Sequence, residues 1–251
     1  MLETLMPAGT DPAGLLLLLG TVLVAGVVYG FAGFGAALIF MPVAVRILPP
    51  QVAVAAFAIS ALSSLVTVVP RAVPLVDRRG VTILIATATL ASFAGVWVLR
   101  VADVTGLRWA VIGVTAVTLL ALVSGWRYRT APRDSTRAAV GLATGFVGGA
   151  TGLLGPVMVL FQLAGRDSIA RSRATALVFL TVTSLALVPV MALQGLLTAQ
   201  AVGLGLVMLL PYGLGTVIGH ALFRPEGEAG YRLAAYLLIG VAVVIGLPLF
   251  D

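Results

Sequence analysis

Residues 138–163 read AAVGLATGFVGGATGLLGPVMVLFQL, an apolar run in which Gly145, Gly148, Gly149, Gly152 and Gly155 gather near the middle. Its hydropathy suits lipid, but the glycines divide it into pieces of about 12 to 14 residues, and crossing the hydrocarbon core as a helix takes about 20. Such a run is expected to enter, break and return as a hairpin, its broken backbone sheltered by protein. A second run, 13–48, is interrupted in the same way at Gly30, Gly33 and Gly35, with a leading arm over 13–29 long enough to cross. Uninterrupted apolar spans follow each run: 52–69, 81–99 and 107–126 after the first, and 174–193, 201–222 and 232–249 after the second.

The chain as a whole agrees. Of 251 residues 61% are hydrophobic and 10% charged, against about 25% charged in a soluble domain. The expected fold is therefore an all-α polytopic membrane protein. Two acidic and no basic residues precede the first apolar run, so it is expected to stay as a helix rather than be cleaved as a signal peptide. With the N-terminus outside, the loops at 70–80, 127–137, 164–173 and 223–232 fall inside and carry twelve arginines, while Arg46, Arg100 and Arg108 fall outside. That asymmetry satisfies the positive-inside rule and sets both termini outside a bacterial cytoplasmic membrane.

Each half, 1–130 and 131–251, thus holds one broken hairpin and three crossings. An odd number of crossings makes the halves enter from opposite sides, as an inverted repeat. Gly30-Phe31-Ala32-Gly33 recurs as Gly145-Phe146-Val147-Gly148, an offset of 115, and Ser63-Ser64-Leu65 parallels Thr183-Ser184-Leu185 at an offset of 120. Inverted repeats with glycine-interrupted segments point to a secondary transporter with a midplane site.

The chemistry expected there is anion binding. A helix that begins inside the membrane leaves its first N–H groups without partners and carries partial positive charge. Pro156 suits the first turn of one such half-helix, having no N–H to leave unmatched; its counterpart starts near Gly35 and Ala36. The candidate substrate-binding residues are Gly33, Gly35, Gly148, Gly149, Thr151, Gly152 and Gly155 at the breaks, with hydroxyls Ser60, Ser63, Ser64, Thr181, Thr183 and Ser184 on the crossings beside them. For each hydroxyl the competing role is a bond to its own helix carbonyls. Arg46 and Arg166 each follow a hairpin and form a candidate pair at the pathway mouths, loop arginines being otherwise topology determinants. Gln162 and Gln194 suit helix-to-helix hydrogen bonds.

The Gly-Phe-Ala-Gly-Phe-Gly stretch at 30–35, Leu48-Pro49-Pro50 leading into Val52-Ala53-Val54-Ala55, the hydroxyls near Ser63 and the degenerate repeat after 145 together resemble the TauE/SafE family of sulfite exporters. The resemblance covers nearly the whole chain and implies a duplicated permease for small, chiefly sulfur-containing anions such as sulfite and sulfonates. Phe34, where a further glycine is common, and Ala55-Ala56-Phe57, where Gly-Thr-Ser is common, depart from the family pattern.

Other classes fit less well. There is no cysteine and one histidine, His220, so no metal site and no cofactor is expected. No Gly-x-Ser motif is present for an intramembrane serine enzyme, and the protein is not expected to be an enzyme. Net charge is +6, but the arginines sit between apolar runs, which suits an anionic leaflet rather than nucleic acid. The expected partners are a small anionic substrate and the lipid bilayer, with a homo-oligomer among the assemblies open to it. A passive anion channel or a scaffold subunit is the alternative.

Overall fold

In a computed structural model, which describes residues 12–125, 133–164, 168–222 and 228–247, the chain folds as helices with no strand among them. The first run forms α1 (Pro12–Ala32) and α2 (Ala36–Ile47). α3 (Pro50–Ser60) tightens into a 3-10 turn at Ala61–Ser63, continues as α4 (Ser64–Thr67) and gives way to α5 (Val69–Ala72). Then follow α6 (Arg78–Val101), α7 (Val104–Val123), α8 (Asp134–Thr151), α9 (Gly155–Ala164), α10 (Ile169–Leu193), α11 (Ala199–Leu222) and α12 (Glu228–Gly246).

Six helical stretches are long and apolar enough to cross a membrane: α1, α3 with α4, α6, α7, α10 and α11. The expected span at 232–249 corresponds to α12, whose apolar stretch Leu233–Gly246 is shorter than the others, while α1 takes its place among the full-length crossings. The molecule is a polytopic all-α membrane protein, built with apolar surface both inside and out. α2 and α3 are buried on nearly every face. The outer helices turn large apolar side chains outward, among them Leu90 and Trp97 of α6, Leu120 of α7, Leu210 of α11 and Leu237 of α12. Exposure of that kind in a solvent of lipid carries no penalty.

Glycines set the tightest contacts. α1 lies parallel to α11, and α8 lies parallel to α6. A β-carbon on Gly26 would strike the Tyr212 carbonyl, and one on Gly30 would strike Thr216 O, His220 N and Gly219 Cα. On the other pair, Gly145 meets the Ala88 carbonyl, and Gly149 meets Ser92 O, Val96 N and Gly95 C. Backbone atoms of corresponding residues are met in the two pairs, with α1 and α8 offset by 119 positions and α6 and α11 by 124. Backbones brought this close gain dispersion contacts that larger residues would forbid. Where α6 and α8 begin, Arg137 bridges to Asp77 at 2.8 Å and Arg79 to Asp134 at 2.6 Å, fixing the register of that pair at one end.

The breaks come where glycine permits them. α1 ends before Gly33 (φ 80°) and Gly35 (φ 92°), and α8 ends at Gly152 (φ 75°), conformations that cost other residues about 1 kcal/mol or more. Helices stop at Ala32 and Thr151 and restart at Ala36 and Gly155, a constant offset of 119. The four-residue match at 115 is therefore out of register by one helical turn: Gly33 corresponds in position to Gly152 and not to Gly148, whose hydrogen faces Leu154.

Gly145→Ala places a methyl group against backbone that cannot rotate away, and a loss of about 1–3 kcal/mol is expected. Gly113→Ala, with open space around it, is expected to be neutral or slightly stabilising. Thermal unfolding of the two purified variants in detergent checks the contrast.

Candidate functional site

The two breaks open onto one cavity. It is lined at one side by Gly35, Ala36, Ala37 and Leu38, and at another by Gly152, Leu154 and Gly155. Thr181, Ser184 and Leu180 of α10 complete it with Tyr29, Phe57, Ala61 and Tyr212. Both half-helices therefore begin at its wall. In α2 the first intrahelical bond runs from Ile39 N to Gly35 O at 3.1 Å, which leaves the N–H groups of Ala36, Ala37 and Leu38 without an acceptor inside the helix. α9 presents the N–H of Gly155, followed by Pro156, which has none.

The aromatic wall ties four helices together. Tyr29 of α1 lies 6.1 Å from Tyr212 of α11, Tyr212 meets Phe57 of α3 edge-on at 5.7 Å, and Phe57 stacks on Phe40 of α2 at 5.0 Å. Such pairs are worth about 0.5–1.5 kcal/mol beyond their burial. Tyr29 also reaches α10, its hydroxyl 3.0 Å from Leu177 O and 2.9 Å from Thr181 Oγ1.

Five of the residues expected from sequence line this cavity: Gly35, Gly152, Gly155, Thr181 and Ser184. The others stand elsewhere. Ser60 donates to Phe57 O at 2.8 Å and Ser63 to Ser60 O at 2.9 Å, back-bonds that accompany the tightening of the helix there. Ser64 is buried beside the hydroxyl of Tyr212, and Thr183 is buried with a hydroxyl that has no hydrogen-bond partner among the described residues; neither is among the residues lining the cavity. Thr151 donates to Val147 O at 2.7 Å and accepts from Leu153 N at 3.3 Å, so it covers a loose N–H within the break. Gly148 and Gly149 serve packing, against Leu154 and α6. Arg46 donates to Ile245 O at 2.9 Å and ties α2 to the last turn of α12, while Arg166 lies outside the described residues. Of the two glutamines, Gln194 donates to Phe93 O at 2.9 Å; the Gln162 amide nitrogen is buried without a partner among the described residues.

Sequence reasoning passed over Tyr29, Tyr212 and Phe57, which read as core aromatics, and Arg173, which reads as a loop cation. Arg173 lies inside α10, because Ser168 caps that helix from five residues upstream, accepting from Arg171 N. Its Nε donates to Phe31 O at 2.9 Å and its Nη2 to Gly30 O. Those are carbonyls of the last turn of α1, where a cation also complements the helix dipole. Nη2 lies 3.1 Å from His220 Nδ1. A guanidinium has no acceptor, so Nδ1 accepts and the imidazole is neutral with its hydrogen on Nε2. The corresponding position beside Gly152 is held by Val54, so the second break has no such clasp there.

A model of the sulfite exporter TauE/SafE family matches residues 18–246. The chain belongs to that family. No curated protein and no solved structure matches it. TauE/SafE proteins are transporters rather than enzymes, and membership together with the spanning helices makes this chain a multi-pass membrane anion transporter.

Arg173→Leu leaves two carbonyls of the α1 terminus without their donor, and a loss of about 1–3 kcal/mol is expected. Arg173→Lys keeps the charge and loses the fork, so its unfolding temperature should fall between those of Arg173→Leu and the parent.

Proposed function

We propose that this TauE/SafE protein is a secondary carrier for a small sulfur-containing oxyanion, such as sulfite or an organosulfonate. It works by alternating access about a midplane site between inverted halves, 1–130 and 131–251. The observation that carries this reading is the meeting of the α2 and α9 N-termini at a single cavity. Buried N–H groups there can hold an anion without a buried full cation, and each of two hairpins contributes one end of the site. The reading is further supported by the like packing of α1 on α11 and of α8 on α6, the pairing expected of two like halves. The twelve inner arginines set the orientation, with both termini outside the cytoplasmic membrane.

The experiment is uptake of labelled sulfite into proteoliposomes, with counterflow to separate a carrier from a passive channel. Saturable uptake with counterflow is expected; linear flux without counterflow would favour the channel. Gly152→Leu, which forces a side chain into a left-handed conformation against Met41 and Val54, should abolish uptake while the protein still inserts. Ser184→Ala should raise the apparent substrate constant by the worth of one hydrogen bond, about 1 kcal/mol or some fivefold. Thr183→Ala, whose hydroxyl is not on the cavity wall, should not.

A further inference from the structure

The charge of the cavity and its count of hydrogens can be read separately, and both restrict what it holds. Each helix N-terminus is equivalent to roughly half an elementary charge, so α2 and α9 together present about one. That balances a monoanion and undercharges the site for a dianion. Arg173 is engaged on the carbonyl end of α1 and is not among the residues lining the cavity.

The hydrogens are less symmetrical. Ser184 is 8% exposed, lines the cavity, and has no hydrogen-bond partner among the described residues, so its O–H is available to a ligand beside the N–H groups of Ala36, Ala37, Leu38 and Gly155. Thr181 differs. A carbonyl oxygen only accepts, so the single hydrogen of Tyr29 goes to Leu177 O; its 2.9 Å contact with Thr181 is then a bond only if Thr181 donates it. The one hydrogen of Thr181 is thereby taken by Tyr29, and its oxygen has only lone pairs left to offer. An oxyanion whose oxygens are all unprotonated meets a lone pair at that point, whereas one bearing an O–H can donate to it.

We propose that the cavity selects a singly charged oxyanion that still carries an O–H, and that Tyr29 sets this selection as a positioning residue by holding the hydrogen of Thr181. The inference rests on the anion-carrier reading above and narrows it to hydrogen sulfite, because an organosulfonate carries no O–H near neutrality. It also accounts for a membrane core with no Asp, Glu or Lys, because the proton crosses on the substrate and needs no carboxylate of the protein. The titratable groups facing Tyr29 are Tyr212 of α11 and Arg173 of α10, and behind Arg173 stand His220 of α11 and Arg71 of α5; α2, α3 and α9 bring only apolar side chains to this wall.

The test compares uptake of sulfite, methanesulfonate and sulfate into proteoliposomes of the parent, Tyr29→Phe and Thr181→Val. Sulfite exchanges its O–H near neutrality, methanesulfonate is a monoanion without one, and sulfate is a dianion without one. At fixed total sulfite, parent uptake should fall with rising pH in step with the hydrogen sulfite fraction, and methanesulfonate and sulfate should each be at least about tenfold weaker, the cost of one mismatched buried polar contact. Tyr29→Phe frees the Thr181 hydrogen and should narrow the gap to methanesulfonate by raising its uptake. Thr181→Val removes the acceptor and should narrow it by lowering sulfite uptake alone, so it serves as the second arm if Tyr29→Phe does not fold. Sulfite uptake that is flat or rises with pH, or a gap unchanged in the folded variants, overturns the inference and leaves the carrier reading standing. No uptake of any of the three anions by folded parent protein overturns both.

Discussion

An N–H group at the start of a helix inside a membrane has neither a preceding carbonyl nor water to bond. Leaving such groups bare costs several kcal/mol each in hydrocarbon, so helices normally begin at the interface. This chain restarts two helices within its broken apolar runs, at Ala36 and Gly155, both beside the same cavity. The rest of the structure can be understood as what makes that placement tolerable. Glycines at positive φ allow the stops; Thr151 covers one loose N–H in the second break; Arg173 answers carbonyls at the first. The remaining donors belong to residues that line the cavity.

Holding two broken hairpins in place requires a rigid frame, and close backbone packing supplies it. Gly26 and Gly30 seat α1 on α11 as Gly145 and Gly149 seat α8 on α6. Each hairpin thus leans on a helix of the other half of the chain. The aromatic chain from Tyr29 through Tyr212 and Phe57 to Phe40 links α1, α11, α3 and α2, and Tyr29 extends the link to α10.

The helices and both breaks were legible because they rest on composition: apolar length needs lipid, and clustered glycine ends a helix. Pro156 and Gly35 marked the half-helix starts to within a residue. The register of the repeat was not legible, since four-residue matches in glycine-rich sequence cannot separate an offset of 115 from 119, one helical turn away, and only the left-handed glycines decide it. Which hydroxyls reach the cavity depends on helix rotation. Ser60 and Ser63 look like Thr181 and Ser184 in sequence, yet they bond to their own helix in a stretch where it tightens. Arg173 escaped notice because its helix starts earlier than hydropathy indicates, and Tyr29 because an aromatic residue in an apolar helix carries no mark of its hydroxyl's partners.

The meeting of two half-helix starts at an anion is most directly tested by locating the anion. Crystals of the protein soaked in selenite, a heavier counterpart of sulfite first shown to compete with its uptake, would place selenium by anomalous diffraction. A peak in the cavity within hydrogen-bond reach of the N–H groups of Ala36–Leu38 and Gly155 and of the Ser184 hydroxyl is the expected result. A peak seated instead on the surface arginines, with the cavity empty at concentrations that block transport, would contradict it.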